Sequence, residues 1–375
     1  MANILVNLMT WNTGGGIGSK QSYLKAFNSL KQDQHKFYII ISNPSEDDIR
    51  AYPNLKFVDN LTPPIKIIEK VFFYEKKIAI ISKSLNIDLL LNFGDIPARV
   101  PTKQLFYFDW PYAVYNNFSL WLRFKPKEII SKLAKRLYFF LTIKRCDSFI
   151  VQTNTMKNRL RFVHKKNNIY VVDVGFDAME AKNYQSNELV INKTPTLIYP
   201  TAMYPHKNMN ILIDVAKILK LQNFKLKFVL TINSLSGNSE ANFCKKVLKA
   251  GLDDYFVFLG RLDRSELLEK INNSTAIIMP TLIETYGLPY LEAQYLRKPM
   301  FTSRRDFSED VCGNSAFYFD PLNPNDIASV IIKNINNKDK LLNKLLESDK
   351  LLDKRITWQK STDNINNIIN LMLNN

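Results

Sequence analysis

Two glutamates stand eight positions apart in Glu284-Thr-Tyr-Gly-Leu-Pro-Tyr-Leu-Glu292, with Gly287, Leu288 and Pro289 between them. Carboxylates accept hydrogen bonds from hydroxyl-rich partners such as ribose or another sugar. Gly287 lets backbone approach a ligand closely. A helix start offers unpaired N–H groups and a positive dipole end, which suit a phosphate. Residues 276–279 form an apolar run that reads as a buried parallel strand, closed by Pro280. Pro289 suits the first position of a helix, where its missing N–H would be unpaired anyway. Glu284 then lies on the loop and Glu292 about one turn into the helix. Such a loop can hold a phosphate between two carboxylates. The alternative is an ordinary strand–loop–helix connection with two solvated glutamates.

Other residues invite the same question. Gly14-Gly-Gly-Ile-Gly-Ser19 follows the first apolar run and opens a helix, so Gly15 and Gly16 can cradle a phosphate. Ser19 stands where a dinucleotide fingerprint has its third glycine, and no acid follows the second strand near Asn43, which argues against NAD. The alternative role for these glycines is tight strand–helix packing. Lys207, in Pro205-His-Lys-Asn208, can act as a point charge on a phosphate. Asp109, in Phe108-Asp-Trp-Pro-Tyr112, ends a strand and is either a reacting-centre carboxylate or a helix N-cap. Asn92 and Asp95, in Asn92-Phe-Gly-Asp95, can hold acceptor hydroxyls or simply form a turn.

The elements that must position these groups are legible as short continuous apolar runs alternating with helical stretches. Strands are expected at 3–9, 37–42, 55–58, 88–92, 103–108, 148–151 and 169–172, then at 196–201, 227–232, 256–259, 276–280, 299–303 and 316–319. Continuous runs suit parallel strands covered on both faces, and the alternation argues for α/β architecture. A chain of 375 residues fits two domains. The expected division is 1–178, a polar linker at 179–194, and 195–355, with a helical segment at 356–375. Ligands of open α/β sheets bind beyond the carboxyl ends of the strands, so two such domains facing a cleft would place every residue above on strand-to-helix loops.

Composition narrows the function classes. Hydrophobic residues are 46% and charged residues 23%, normal for a globular protein. No apolar run approaches the roughly 18 residues of a bilayer span. The start, Met-Ala-Asn-Ile-Leu-Val, shows no basic leader or cleavage site and leads directly into a strand, which points to the cytoplasm. Cys146, Cys244 and Cys312 read as free buried thiols. His35, His164 and His206 lack metal-ligand spacing, and no DxD triplet is present, so no metal is expected. The net charge is +16. Residues 1–175 hold 26 Lys/Arg against 13 Asp/Glu, a net of +13, so the excess belongs to one half and implies an anionic partner. Residues 118–145 hold eight basic residues and one acid, interleaved with Trp121, Phe124, Leu133, Leu137 and Leu141. Lys132, Lys135 and Arg136 flank an apolar face, the pattern of a helix lying in a bilayer interface. The alternative is a core helix with a solvated basic face.

The motif Glu-x-Tyr-Gly-Leu-Pro-x-x-Glu, with Phe256-Val-Phe-Leu-Gly260 before it and Ser315-Ala-Phe-Tyr-Phe-Asp320 after it, resembles the nucleotide-sugar site of retaining GT-B glycosyltransferases, nearest to family 4. Tyr199-Pro-Thr-Ala-Met-Tyr-Pro-His-Lys-Asn208 resembles the first loop of their C-terminal domain. The resemblance implies a GT-B fold of two Rossmann-like, doubly wound parallel sheets, with the last helix packing back on the first domain. It implies a hexosyl group moved with retention from a nucleoside-diphosphate sugar, a co-substrate rather than a cofactor, to a saccharide acceptor. Members of this kind build cell-surface polysaccharide and O-antigen on lipid-linked acceptors, as peripheral proteins at the inner face of the membrane. The implied donor set is Glu292 for ribose, Glu284 for the sugar, and Lys207, Gly287, Leu288, Gly15 and Gly16 for the diphosphate, with Tyr286 alongside. The arginine usual near Ala202 is missing, and Arg261 is the expected substitute. Asp109 falls where many members carry a catalytic histidine. Two other functions fit parts of the sequence: a nucleotide-sugar epimerase or isomerase on this fold, and a basic nucleic-acid-binding protein. The latter finds no zinc or RNP motif to support it, so nucleic acid is not expected as a partner.

Overall fold

The computed structural model describes residues 1–11, 15–31, 34–58, 61, 63–64, 66–116, 118–164, 168–177, 193–233 and 239–374. Most of the expected linker at 179–194, and Gly14 of the glycine run, lie outside the described residues. The chain divides into two compact units: unit 1 is 1–116, 125–175 and 356–375, and unit 2 is 117–124 and 176–355.

Unit 1 holds seven parallel strands: β1 (Ala2–Asn7), β2 (His35–Ile40), β3 (Lys56–Phe57), β4 (Leu89–Asn92), β5 (Lys103–Tyr107), β6 (Ser148–Val151) and β7 (Ile169–Val171). Their order is β3-β2-β1-β4-β5-β6-β7. Alternate side chains enter different cores, as the pleat requires. Ile4 and Val6 join Trp11, Tyr23 and Phe93 on one face, while Leu5 joins Tyr74 and Ile78 on the other. Burial on both faces is why these strands read as unbroken apolar runs. Three helices of this unit matter below: α1 (Gly15–Asn28), α2 (Ile67–Phe72) and α3 (Pro126–Thr142). The C-terminal helix Trp358–Asn374 completes the first core with Ile365, Ile369 and Met372. Its start is pinned by Trp358 against Tyr23 at 5.0 Å and by Ser361 Oγ donating to the Asp173 carbonyl at 2.9 Å.

Unit 2 holds six parallel strands: β8 (Thr196–Tyr199), β9 (Lys227–Leu230), β10 (Phe256–Phe258), β11 (Ala276–Met279), β12 (Met300–Ser303) and β13 (Ala316–Phe319), in the order β10-β9-β8-β11-β12-β13. Two helices carry its site: α4 (Arg264–Asn272) and α5 (Leu288–Tyr295). In each sheet the chain winds outward one way from the first strand and the other way from the fourth. The reversal falls between β1 and β4 in unit 1 and between β8 and β11 in unit 2. Connections leave these neighbours in opposite directions, which opens a crevice at their carboxyl ends.

Candidate functional site

In unit 2 the loops after β8 and β11 meet at that reversal. The loop carrying Lys207 is tied to the other by its own backbone. Leu282 N–H donates to the His206 carbonyl at 2.8 Å, and Thr281 Oγ1 lies 3.2 Å from the same oxygen. Tyr199 OH donates to the Lys207 carbonyl at 3.0 Å. Lys207 Nζ is thereby held 2.5 Å from Glu284 Oε1, which also accepts from Thr281 Oγ1 at 3.0 Å. Burial, and next to it the Glu284 charge, pushes the Tyr199 phenol well above its ordinary pKa, so it stays a neutral donor.

Gly287 turns the chain into α5 with φ +90, and a Cβ there would sit 2.7 Å from the Tyr290 ring. Both facts require glycine. The helix begins at Leu288, so Pro289 is its second residue rather than its first. Tyr290 N–H donates to the Gly287 carbonyl at 2.9 Å and Pro289 has no N–H, so Leu288 N–H is the group of this first turn without an intrahelical acceptor, and no acidic side chain occupies the turn. Tyr286 is buried, with the Arg355 guanidinium 5.8 Å over its ring.

Glu292 is 4% exposed. Its Oε1 pairs with the Arg264 guanidinium, and its Oε2 has no hydrogen-bond partner among the described residues. A buried carboxylate oxygen normally finds a donor, so a hydroxyl supplied by a ligand would complete this one. Arg264 is the first residue of α4, placed there by the Asp263–Glu266 capping box. It also lies 5.5 Å over the Phe176 ring, which stacks on Tyr295 at 4.2 Å. Sequence reasoning pointed to Arg261 and missed Arg264. Arg261 sits exposed on the loop after β10 and forms no ion pair among the described residues. The capping box was the signal that could have shown which arginine starts the helix.

Unit 1 presents its own reversal. Gly15 and Gly16 open α1 just beyond β1. A Cβ on Gly16 would meet Trp11 Cα at 3.4 Å, an ordinary contact, so strand–helix packing alone does not demand glycine there. Asn92, at the end of β4, is fully buried. Its Oδ1 accepts from Asn7 Nδ2 at 2.8 Å and from Gly94 N–H at 2.9 Å. Its Nδ2 donates to the Ile96 carbonyl at 3.1 Å and to Gln104 Oε1 at 2.9 Å. With both ends engaged, Asn92 braces β1, β4 and β5 and offers nothing to an acceptor, which corrects the expectation above. Asp95 pairs with Lys135 Nζ at 3.1 Å, and its N–H donates to Tyr74 OH at 3.0 Å. Asp109 is exposed at the carboxyl end of β5, close enough for its charge to reinforce the upward shift that burial imposes on the Tyr23 and Tyr107 phenols.

The basic stretch is turned the other way from the sequence reading. Lys132 Nζ lies 4.1 Å over Tyr112 and Lys135 Nζ lies 4.3 Å over Trp110, while Arg136 donates to Asn116 Oδ1. These cations face the protein. Burial lowers the pKa of both lysines. The outward positions from Ile130 to Leu141 of α3 are mostly apolar.

Residues 181–350 match the family model described as glycosyl transferases group 1. That match supports a group 1 glycosyltransferase. An uncharacterized glycosyltransferase of Methanocaldococcus jannaschii is 27% identical over 235 residues, 62% of this chain and 62% of the relative. The O-antigen chain mannosyltransferase RfbU of Salmonella typhimurium is 22% identical over 196 residues, 52% of this chain and 53% of the relative. The chain thus spans a little over half of the length of these curated relatives. Among solved structures, the sucrose-phosphate synthase of Thermosynechococcus elongatus aligns with TM-score 0.76 at 13% identity, covering 99% of each chain. The Anabaena protein HepE in complex with UDP-glucose aligns with TM-score 0.70 at 12% identity, covering 99% of this chain and 100% of the other. The fold is GT-B, two Rossmann-like parallel-sheet domains.

Proposed function

We propose that this chain is a retaining, metal-independent hexosyltransferase of the family 4 kind. It transfers a sugar from a nucleoside-diphosphate sugar to a saccharide acceptor, lipid-linked, in cell-surface polysaccharide or O-antigen assembly. The observation that carries the reading is the placing of Lys207, Glu284 and Glu292 on the loops and first turn around the start of α5, at the strand reversal of unit 2. Glu292 Oε2 receives a ribose hydroxyl. Glu284 receives sugar hydroxyls near the reacting carbon. Lys207 and the N–H groups at Gly287 and Leu288 stabilise the departing diphosphate. Donors fixed in advance where charge develops are ordinarily the largest catalytic contribution. In unit 1, the first turn of α1 contacts substrate phosphate and Asp109 contacts substrate hydroxyls. HepE was solved with UDP-glucose and RfbU is an O-antigen chain mannosyltransferase, which supports the donor and acceptor classes. Retention rests on the motif resemblance. The protein acts as a peripheral protein on the cytoplasmic face of an anionic membrane. No helix among the described residues is long and apolar enough to cross one.

A thermal-shift screen of nucleoside-diphosphate sugars tests this reading, followed by acceptor-dependent release of nucleoside diphosphate. A ligand at a hundredfold its Kd stabilises the folded state by about 2.7 kcal/mol. No shift with any nucleotide sugar would remove the donor site. Turnover without an acceptor and without nucleotide release would favour an isomerase.

A further inference from the structure

We propose that α3 and the neighbouring row on α2 form one docking surface for an anionic phospholipid bilayer, with apolar side chains entering the interface and exposed lysines meeting lipid phosphates. The proposal deepens the membrane part of the function above and rests on it.

From Ile130 to Leu141 the outer face of α3 carries a row of large apolar side chains, with the exposed Lys127 and Glu128 at its start and Ser131 beside it. Ile130, Leu133, Leu137 and Leu141 recur at steps of three and four, so they form one stripe, and they are 68%, 48%, 61% and 70% exposed. A helix that merely covers a core turns such a stripe inward. Here Phe139 and Thr142 point inward together with Lys132, Lys135 and Arg136, whose charges rest on aromatic rings, Asp95 and Asn116. Single exposed leucines are unremarkable. A row of four over three turns is a patch that calls for a partner.

A second exposed apolar row lies on α2. Ile68, Val71 and Phe72 of α2 line a groove with Glu75, Lys76 and Arg99. Glu75 ties the groove to α3: it accepts from Tyr138 OH and pairs with Arg145 at 2.6 Å. Exposed Lys125, Lys127 and Lys144 mark the two ends of the stripe, exposed Lys66 immediately precedes α2, and Lys76 and Arg99 line the groove. The acids among them, Glu128 and Glu69, accept from backbone N–H groups at the starts of α3 and α2. Apolar rows rimmed by cations match a bilayer interface that is apolar inside and anionic at its surface. A second copy of this chain would bring the same cations face to face. Nucleic acid would leave the leucines in water.

Co-sedimentation with phosphatidylcholine vesicles, with and without phosphatidylglycerol, tests the surface. The wild type is expected to sediment with the anionic vesicles. Leu137→Ser with Leu141→Ser should lower partitioning at least about tenfold, because both side chains leave the interface. Lys125, Lys127 and Lys144 changed to Gln should erase the preference for the anionic lipid. Added salt should weaken wild-type binding without abolishing it. All three proteins should keep the thermal shift given by a nucleoside-diphosphate sugar, a reading that also separates loss of this surface from loss of the donor site. Wild type that ignores anionic vesicles, or a serine variant that binds them equally well, overturns the proposal. So does a wild-type dimer that the serine changes dissociate, since the stripe would then be an interface between copies.

Discussion

Lys207 Nζ and Glu284 Oε1 lie 2.5 Å apart and join the loops after β8 and β11 across the strand reversal of unit 2. Under the proposed function, a phosphate that recruits Lys207 takes it from Glu284 and so frees that carboxylate for sugar hydroxyls. Glu284→Gln preserves shape and the Thr281 contact but removes the charge. Its kcat/KM should fall at least about tenfold, equivalent to about 1.4 kcal/mol. Lys207→Met should fall similarly, and the double variant by less than the product of the two, because the partners act as a unit. Strictly multiplicative losses would show that they work independently.

Lys207 also bears on metals. No group of three or more His, Cys, Asp or Glu side chains suited to a cation occurs among the described residues. Under the proposed function transfer should survive excess EDTA, the leaving diphosphate being met by Lys207 and backbone N–H groups. Activity lost to EDTA and restored by Mn²⁺ would overturn this assignment.

Arg264 neutralises a carboxylate that is almost fully buried. Arg264→Ala leaves Glu292 charged with neither oxygen paired to that cation. Because the arginine is itself 41% exposed, the cost should be lower than for a fully buried pair, roughly 1–2 kcal/mol. Adding Glu292→Gln removes the stranded charge and should recover part of the melting temperature. A double variant no more stable than Arg264→Ala would contradict this account.

Gly16 distinguishes packing from function. Its Cβ position is open to an ordinary contact and its site is helical, where alanine is favoured over glycine by about 1 kcal/mol. Gly16→Ala should melt at the same temperature or higher while transfer falls severalfold, as backbone approach to phosphate is obstructed. Unchanged kinetics would return the residue to a purely structural role.

Lys298 is 2% exposed, and burial lowers its pKa from 10.5 to about 8. Between those two pH values the unfolded chain binds more protons than the folded one, so stability contributed at this site rises as pH climbs from about 8 to 10.5. Below about pH 8 the full penalty of a buried charge remains. Lys298→Met should raise stability at pH 7 by on the order of 2 kcal/mol, and the gain should shrink above pH 8 in denaturant titrations. A gain that does not vary with pH would assign the effect to packing instead.

The strands were legible because both faces of each sheet are covered, so residues such as Ile4 to Val6 and Ala276 to Met279 could not alternate with polar ones. In the sequence Gly287 reads as a place where backbone can approach a ligand; its left-handed turn and the Tyr290 ring packed against it come from the folded structure. Orientation was not legible. The period of α3 shows that it has two faces, but the inward one is chosen by Trp110, Tyr112 and Asp95, which come from other segments. Asn92 looked like a loop-end ligand until Asn7, Gly94, Ile96 and Gln104 surrounded it. Arg261 and Arg264 lie three residues apart, and the Asp263–Glu266 capping box is what places Arg264 at the helix start.

The assignment of residues 356–375 to unit 1 sets an order of assembly on the ribosome. Every residue of unit 2 has been synthesised before Ile365, Ile369 and Met372 emerge, and those three side chains complete the first core of unit 1. The half of the protein made first is therefore the half finished last. Until the final helix arrives, the apolar face that it covers beside Tyr23 and Trp11 is open to chaperones or to aggregation, a vulnerability confined to synthesis.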